Sequence, residues 1–81
     1  MRIAVVDDDA SVREGAVLVL EADGRDVAAF PSGDAFLSEA KEASQWDLAF
    51  LDLKMPGSSG FDVLRALQVD DTLPFPVVMI S

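Results

Sequence analysis

Residues 46–57, Trp-Asp-Leu-Ala-Phe-Leu-Asp-Leu-Lys-Met-Pro-Gly, hold the change of pattern that decides the fold. Apolar residues run nearly unbroken from Trp46 to Leu51, which is the length and composition of a strand buried in a parallel sheet. The run stops at Asp52, and residues 55–60, rich in proline, glycine and serine, predict a loop. We therefore expect a strand that ends in an aspartate and opens into a loop.

Three other short apolar runs predict strands of the same kind. Residues 2–6, Arg-Ile-Ala-Val-Val, are rich in β-branched side chains and stop at three consecutive acids, Asp7, Asp8 and Asp9. Residues 27–30 and 77–80 are the remaining two runs. The chain thus has four predicted strands, and two of them end in aspartate.

The segments between the strands carry helical periodicity. Asp9 can cap a helix over residues 10–22, Gly24 stands where that helix ends, and its apolar side is Val12, Ala16, Val19 and Leu20. Ser32 can cap a second helix, whose apolar side is Phe36, Ala40 and Ala43. A third helix is marked by Phe61, Leu64 and Leu67. Strands that alternate with helices predict an α/β fold, a doubly wound parallel sheet with helices on both faces.

Composition excludes several classes of function. The 81 residues carry six Lys and Arg against fifteen Asp and Glu, a net charge of −9, so direct contact with nucleic acid or an anionic membrane surface is disfavoured. Cysteine and histidine are absent, which excludes disulfides, zinc sites built on these residues and Ser-His-Asp hydrolysis. The apolar residues 1–6 are too short for a signal peptide or a membrane span, so a cytoplasmic protein is expected.

The aspartates that end two strands predict a binding site. Ligands of open α/β sheets lie beyond the carboxyl ends of the strands, so Asp7, Asp8 and Asp52 converge if their strands are neighbours. Clustered carboxylates repel one another unless a cation neutralises them, and their oxygen atoms are ligands that Mg²⁺ prefers. A carboxylate at such a site can also act as a nucleophile and form an acyl phosphate. The alternative for any aspartate after a strand is a turn or helix cap, which is the better interpretation of Asp9.

Three blocks of sequence resemble the receiver domains of bacterial response regulators. They are Val6-Asp7-Asp8, the run from Leu51 to Gly57 with Gly60 beyond it, and residues 77–81. The resemblance implies a flavodoxin-like (CheY-like) sheet of strand order 2-1-3-4 that lacks the fifth strand. It implies that residues 1–81 are a receiver domain incomplete at its carboxyl end.

The resemblance also assigns roles to individual residues. Asp52 would be the phosphoacceptor, receiving its phosphoryl group from a sensor histidine kinase. Asp7, Asp8 and Asp52 would hold Mg²⁺, with Asp7 acting largely through a metal-bound water, and the backbone carbonyl of Lys54 would complete the site. The hydroxyl of Ser81 would donate a hydrogen bond to the phosphoryl group.

Other residues are expected to be structural. Pro56 and Gly57 would shape the loop beside the acceptor, and Gly60 would let the third helix pack closely. Four large side chains are expected in the core: Phe36, Trp46, Phe61 and Met79.

The family's fifth-strand lysine lies beyond residue 81, and neither Lys41 nor Lys54 matches its position. The resemblance implies a regulatory domain rather than an enzyme, in a family that can show self-catalysed phosphorylation and dephosphorylation. The uncharged strand 77–80 predicts a homodimer or oligomer formed through its edge. Two other functions remain open: an interaction module that works without phosphorylation, and a haloacid-dehalogenase-type phosphatase in which Asp7 of the Asp7-x-Asp9 pattern is the nucleophile.

Overall fold

Four strands and three helices alternate in the computed structural model of the chain, which describes residues 1–39, 46–55, 57, 59–68 and 72–80. In chain order they are β1 (Arg2–Val6), α1 (Ala10–Ala22), β2 (Asp26–Phe30), α2 (Gly33–Glu39), β3 (Leu48–Asp52), α3 (Gly60–Leu67) and β4 (Val77–Ile80). The predicted βαβαβαβ order is confirmed. No helix of the described residues is both long and apolar enough to cross a membrane.

The four strands form one parallel sheet in the order β2-β1-β3-β4. β1 is central, and its last residue, Val6, pairs with Phe30 of β2 and with Leu51 of β3. The family resemblance implied this order, and it is confirmed. It places the carboxyl ends of β1 and β3 side by side.

The main core lies between one face of the sheet and the helices α2 and α3. Alternate residues of β1 and β3 point to this face, and their buried side chains meet Phe36 of α2 and Val63 of α3. Phe36 also makes tilted or edge-on ring contacts with Phe30, Trp46 and Phe75, with centroids 5.3 to 6.2 Å apart. Phe36 and Trp46 are thus core residues, as predicted, and Met79 packs against the same cluster.

Trp46 occupies its core position from outside the strand. The sequence predicted a strand over residues 46–51, but β3 begins at Leu48 and includes Asp52. Trp46 is only 3% exposed, because it packs its ring against Phe30 and Phe36 from the segment before the strand. Its apolar character therefore reflects core packing rather than a place in the strand.

The apolar side of α1 is not buried as the periodicity predicted. Val12 is 45% exposed and Val19 is 71% exposed, while Ala16 and Leu20 are half-buried. α1 lies over the second face of the sheet, where a shallow groove runs between the helix and Phe50 of β3. None of the described residues fills that groove.

Phe61 was also expected in the core, and this prediction is wrong because its side chain is 59% exposed. The inward residues of α3 are Gly60, Val63 and Leu67, which have the i, i+3 and i+7 spacing of one helix face. Phe61 lies about 100° around the helix from Gly60 and so points away from the sheet.

The predicted helix ends are confirmed where they are described. Asp9 caps α1, since its carboxylate accepts hydrogen bonds from the backbone N–H groups of Ser11 and Val12. Gly24 follows α1 with φ of 79°, a left-handed conformation that suits glycine. Ser32 accepts a hydrogen bond from the Ala35 N–H at the start of α2. Ala40 and Ala43 of the predicted second helix lie outside the described residues.

Candidate functional site

Three aspartates meet at the carboxyl end of the sheet. Val6 pairs with Leu51, so the next residues along the two strands, Asp7 and Asp52, are neighbours. One carboxylate oxygen from each of Asp7, Asp8 and Asp52 lies within 4.8 Å of the other two. The convergence that the sequence predicted for these side chains is therefore confirmed.

The aspartates line an open cavity of about 310 Å³, whose other described walls are Asp9, Val12 and Ile80. Asp7 forms its floor and is only 5% exposed. Asp8 is exposed and Asp52 is half-buried, so both can be reached from solvent. The cavity thus offers one buried and two accessible carboxylates to a ligand.

Backbone hydrogen bonds fix the floor of the cavity. The Asp7 N–H donates to the Phe30 carbonyl at 3.2 Å, and the Asp7 carboxylate accepts from the Asp9 N–H at 2.9 Å. The Asp9 carboxylate turns away from the cavity floor to cap α1. Capping was the expected role of Asp9, and it leaves the phosphatase hypothesis without a second carboxylate free for chemistry at that position.

The loop after β3 holds Asp52 in place. Its carboxylate accepts a hydrogen bond from the Lys54 N–H at 3.0 Å, a local turn that aspartate commonly forms. Gly57 has φ of 76°, which a residue with a side chain rarely adopts. Pro56 and Ser81 lie outside the described residues, so their predicted roles remain predictions, as does the role of the Lys54 carbonyl.

Gly60 allows α3 to begin directly against the backbone of Asp52. A Cβ at position 60 would lie 2.5 Å from the Asp52 carbonyl oxygen and 2.9 Å from the Leu53 Cα. Both distances are shorter than a carbon atom tolerates. The close packing predicted for Gly60 is therefore confirmed.

Burial raises the pKa of the Asp7 carboxyl above its ordinary value. The hydrogen bond from the Asp9 backbone opposes this rise, whereas the neighbouring charges of Asp52 and Asp8 add to it. Among the described residues that line the cavity none is basic, so no side chain there neutralises the cluster.

This donor set fits a hard divalent cation. Carboxylate oxygens are the ligands that Mg²⁺ and Ca²⁺ prefer, and accessible carboxylates leave room for the waters that Mg²⁺ retains. Asp7, Asp8 and Asp52 are the residues that could hold such an ion.

Sequence reasoning missed one residue beside the site. The guanidinium of Arg13 donates a hydrogen bond from Nη1 to the Asp7 carbonyl at 2.8 Å. The sequence did carry a signal for this contact. A positive charge near the amino end of a helix interacts unfavourably with the helix dipole, so an arginine there indicates a compensating contact elsewhere.

A protein-family comparison identifies the chain. The family model described as "Response regulator receiver domain" matches residues 3–81. The chain belongs to this family. It is a receiver domain of the two-component response regulators, a family whose receiver domains are generally regulatory, consistent with a phosphoacceptor role in signalling.

Curated relatives agree with the family assignment. The receiver domain is 42% identical over 80 residues to the DNA-binding response regulator MtrA of Mycobacterium tuberculosis, covering 99% of the chain and 34% of that protein. It is 38% identical over 79 residues to the transcriptional regulatory protein CseB of Streptomyces coelicolor, covering 98% of the chain and 32% of that protein. The chain thus spans about a third of the length of these relatives.

Solved structures agree with the fold. The receiver domain matches the N-terminal domain of a response regulator receiver protein from Methanoculleus marisnigri with a TM-score of 0.87 and 33% identity, covering 99% of the chain and 65% of that structure. It matches the chemotaxis response regulator CheY4 of Vibrio cholerae with a TM-score of 0.85 and 26% identity, covering 96% of the chain and 65% of that structure. The predicted flavodoxin-like, CheY-like fold is therefore confirmed, over a chain about two-thirds as long as these structures.

Proposed function

We propose that Asp52 accepts a phosphoryl group from a phosphohistidine of a sensor histidine kinase. The observation that carries the proposal is the convergence of Asp52 with Asp7 and Asp8 at the carboxyl end of adjacent strands. Asp52 is half-buried and opens onto the cavity, so one of its oxygens can approach a phosphorus atom. Asp7 and Asp8 then remain for a metal ion.

In the proposed step a carboxylate oxygen of Asp52 attacks the phosphorus of the phosphohistidine. The new O–P bond forms as the P–N bond breaks, and the released imidazole takes up a proton from solvent. The Lys54 N–H donates to Oδ1 of Asp52, which fixes the carboxylate and leaves Oδ2 for the attack. Positioning of this kind supplies much of the rate in phosphoryl transfer.

The proposal includes Mg²⁺ held by Asp7, Asp8, Asp52 and the backbone carbonyl of Lys54. When bound, Mg²⁺ screens the charge of the transferring phosphoryl group and relieves the repulsion among the carboxylates. Asp7, buried and fixed by two backbone hydrogen bonds, is placed to act through a metal-bound water, while the exposed Asp8 can ligate directly. Ser81 is proposed to donate its hydroxyl hydrogen bond to the phosphoryl group, and self-catalysed transfer from small acyl phosphates belongs to the same proposal.

The location and the partners are also proposals. In this proposal residues 1–81 form a receiver domain that works in the cytoplasm, and the absence of cysteine removes any need for an oxidising compartment. The net charge of −9 argues that this segment touches neither nucleic acid nor an anionic membrane directly.

We further propose that two copies of this chain associate through the outer edge of β4. Among the described residues β4 pairs with β3 alone, its sequence carries no charge, and Val78 is 41% exposed. Sedimentation at high micromolar concentration should give a dimer or larger oligomer. Val78→Lys places a charge on the edge and should give a monomer; a parent chain that is strictly monomeric would contradict the proposal.

Acetyl phosphate provides a direct test of the phosphoacceptor. The chain is incubated with acetyl phosphate and Mg²⁺, and the reaction is quenched in acid. Its intact mass is then measured by mass spectrometry beside those of Asp52→Asn and Asp47→Asn. Asp47 lies just before the amino end of the same strand, so its variant is a matched control. One phosphoryl group is expected on the parent and on Asp47→Asn, and none on Asp52→Asn. An unmodified parent, or a modified Asp52→Asn, would contradict the proposal.

A further inference from the structure

Arg13 makes a contact that joins α1 to the acidic site. Its guanidinium Nη1 donates to the backbone carbonyl of Asp7 at 2.8 Å, six residues back along the chain. Arg13 is half-buried, and it lines a groove together with Glu14, Val17, Leu18 and Ala29. This hydrogen bond thus holds the guanidinium against the peptide that follows Asp7, although Arg13 is not among the described residues that line the acidic cavity.

Ordinary roles for a surface arginine do not explain this placement. Arg13 is the fourth residue of α1, where the helix dipole favours an acid rather than a base. None of the ion pairs between described residues includes Arg13. The bond to the Asp7 carbonyl is the polar contact that remains to account for it.

The Asp7 carbonyl belongs to the planar peptide that connects Asp7 to Asp8, so holding this oxygen fixes the orientation of the Asp8 Cα. Asp7 has restraints of its own, through its N–H and its carboxylate. Within the described part of the chain, the carboxylate of Asp8 accepts no hydrogen bond that would fix it independently. The direction of the Asp8 side chain therefore depends on the peptide that Arg13 holds.

We propose that Arg13 is a positioning residue of the cation site. It holds the Asp7–Asp8 peptide so that the Asp8 carboxylate faces Asp7 and Asp52. This inference rests on the proposed function, since it concerns the same metal site. Arg13 acts through the backbone and does not touch the cation or the phosphoryl group.

Charge and positioning predict opposite effects when Arg13 is replaced. Removal of a positive charge near an anionic site strengthens the attraction for a cation, so a charge effect alone would tighten Mg²⁺ binding. Loss of the hydrogen bond frees the Asp7–Asp8 peptide, so the positioning role predicts weaker binding. Partners that orient metal ligands typically contribute roughly 10-fold to 100-fold in affinity.

The test is titration calorimetry with MgCl₂ on the 81-residue chain. Arg13→Met removes the charge and the donor but keeps an unbranched side chain similar in length to the aliphatic part of arginine. Its dissociation constant for Mg²⁺ should rise about 10-fold. Arg13→Lys keeps the charge and a donor, so its dissociation constant for Mg²⁺ should rise less than that of Arg13→Met. Arg25→Met removes the same charge beyond the opposite end of the sheet and should bind Mg²⁺ as the parent does.

Melting curves recorded without Mg²⁺ separate positioning from a structural role. A Met variant that melts earlier but binds Mg²⁺ as tightly as the parent, or more tightly, would overturn the inference and leave the proposed function intact. Should Arg13→Met fail to fold, Arg13→Gln is measured in its place with the same expected weakening. A parent chain that binds no Mg²⁺ would overturn both the proposed function and this inference.

Discussion

The two ends of the central strands β1 and β3 differ in the charges that they bring together. At the amino end, the backbone N–H of Arg2 donates to the Asp47 carboxylate, and the Asp47 N–H donates to the Arg2 carbonyl. The Arg2 Nε lies 3.8 Å from the Asp26 carboxylate, and the guanidinium carbon lies 4.7 Å from the centre of the Trp46 ring. At the carboxyl end, Asp7, Asp8 and Asp52 crowd together with no basic residue lining their cavity in the part of the chain that the structure describes. The strands between them are only about 16 Å long.

Within this one pair of strands, the amino end contributes to stability and the carboxyl end carries the candidate functional site. Opposite charges at the amino end attract one another and stabilise the fold with no ligand. Like charges at the carboxyl end repel and become favourable only when a cation joins them. Clusters of this kind are a recurrent sign of a functional site, because repulsion without a ligand has no structural benefit.

Gly60→Ala is the substitution that should perturb the carboxyl end of the sheet the most. The new Cβ would lie 2.5 Å from the Asp52 carbonyl oxygen, so the backbone of Asp52 or the start of α3 must move. Overpacking of this kind costs about 1–3 kcal/mol of the free energy of unfolding, and phosphorylation of Asp52 should fall with the shift. Urea unfolding and the acetyl phosphate assay measure the two effects.

Gly15→Ala is the matched control for this change. Gly15 lies within α1, and nothing is within 4 Å of a Cβ built there. The same substitution should therefore stabilise the chain by about 0.5–1 kcal/mol, because alanine favours a helix over glycine. Equal effects at positions 15 and 60 would show that the contact with Asp52 is unimportant.

Arg2→Met should weaken the amino end and leave the site unchanged. It removes an ion pair and the cation–π contact with Trp46, which together contribute about 1 kcal/mol at a half-exposed position. Mg²⁺ affinity, measured by calorimetry, should match that of the parent. A large loss of Mg²⁺ affinity would mean that the two ends are coupled and do not separate stability from function.

Asp62 sharpens the comparison, because it is an acid near the carboxyl end whose pKa moves in the opposite direction to that of Asp7. Hydrogen bonds from the backbone N–H and then the hydroxyl of Ser59 lower the pKa of Asp62 from its ordinary 3.8. Its contribution to stability is present above the unfolded-state pKa and is lost as pH falls through the folded-state pKa. Asp62→Asn should therefore destabilise the chain at neutral pH, by a small amount that disappears in acid.

Urea unfolding of the parent and Asp62→Asn at a series of pH values measures this effect. Ser59→Ala removes the other half of the same capping box and should cost about 1 kcal/mol at neutral pH. A difference between parent and Asp62→Asn that is constant with pH would contradict the role assigned to the ionised carboxylate.

The sequence predicted the sheet and the acidic cluster because short apolar runs that end in acids are typical of buried parallel strands with a polar carboxyl end. Strand order entered through the family resemblance, and with it the proximity of Asp7 and Asp52. The arrangement of the helices was less predictable. Periodicity identifies an apolar side of α1, but it cannot say that Val12 and Val19 of that side stay exposed.

Two errors arose from contacts distant in sequence. Phe61 points outward because the packing of Gly60 on Asp52 fixes the rotation of α3. Trp46 joins the core without joining β3, through ring contacts with residues of β2 and α2. Arg13 was missed although its position near the start of α1 offered a signal, since its hydrogen bond to the Asp7 carbonyl depends on how α1 lies against the end of β1.

Unfolding of the parent and Asp7→Asn, each with and without Mg²⁺, tests whether the acidic cluster is built for a cation. The pKa of Asp7 is raised in the fold, so its contribution to stability is present below the unfolded-state pKa and is lost as pH rises through the folded-state pKa. At neutral pH without Mg²⁺, Asp7→Asn should therefore be more stable than the parent, since asparagine can still accept the Asp9 hydrogen bond. At a Mg²⁺ concentration 100 times the parent's dissociation constant, Mg²⁺ should stabilise the parent by about 2.7 kcal/mol and the variant by less, so the stability advantage of the variant shrinks. A variant that is less stable than the parent without Mg²⁺, or a parent that Mg²⁺ does not stabilise, would contradict a cation-binding role for the cluster.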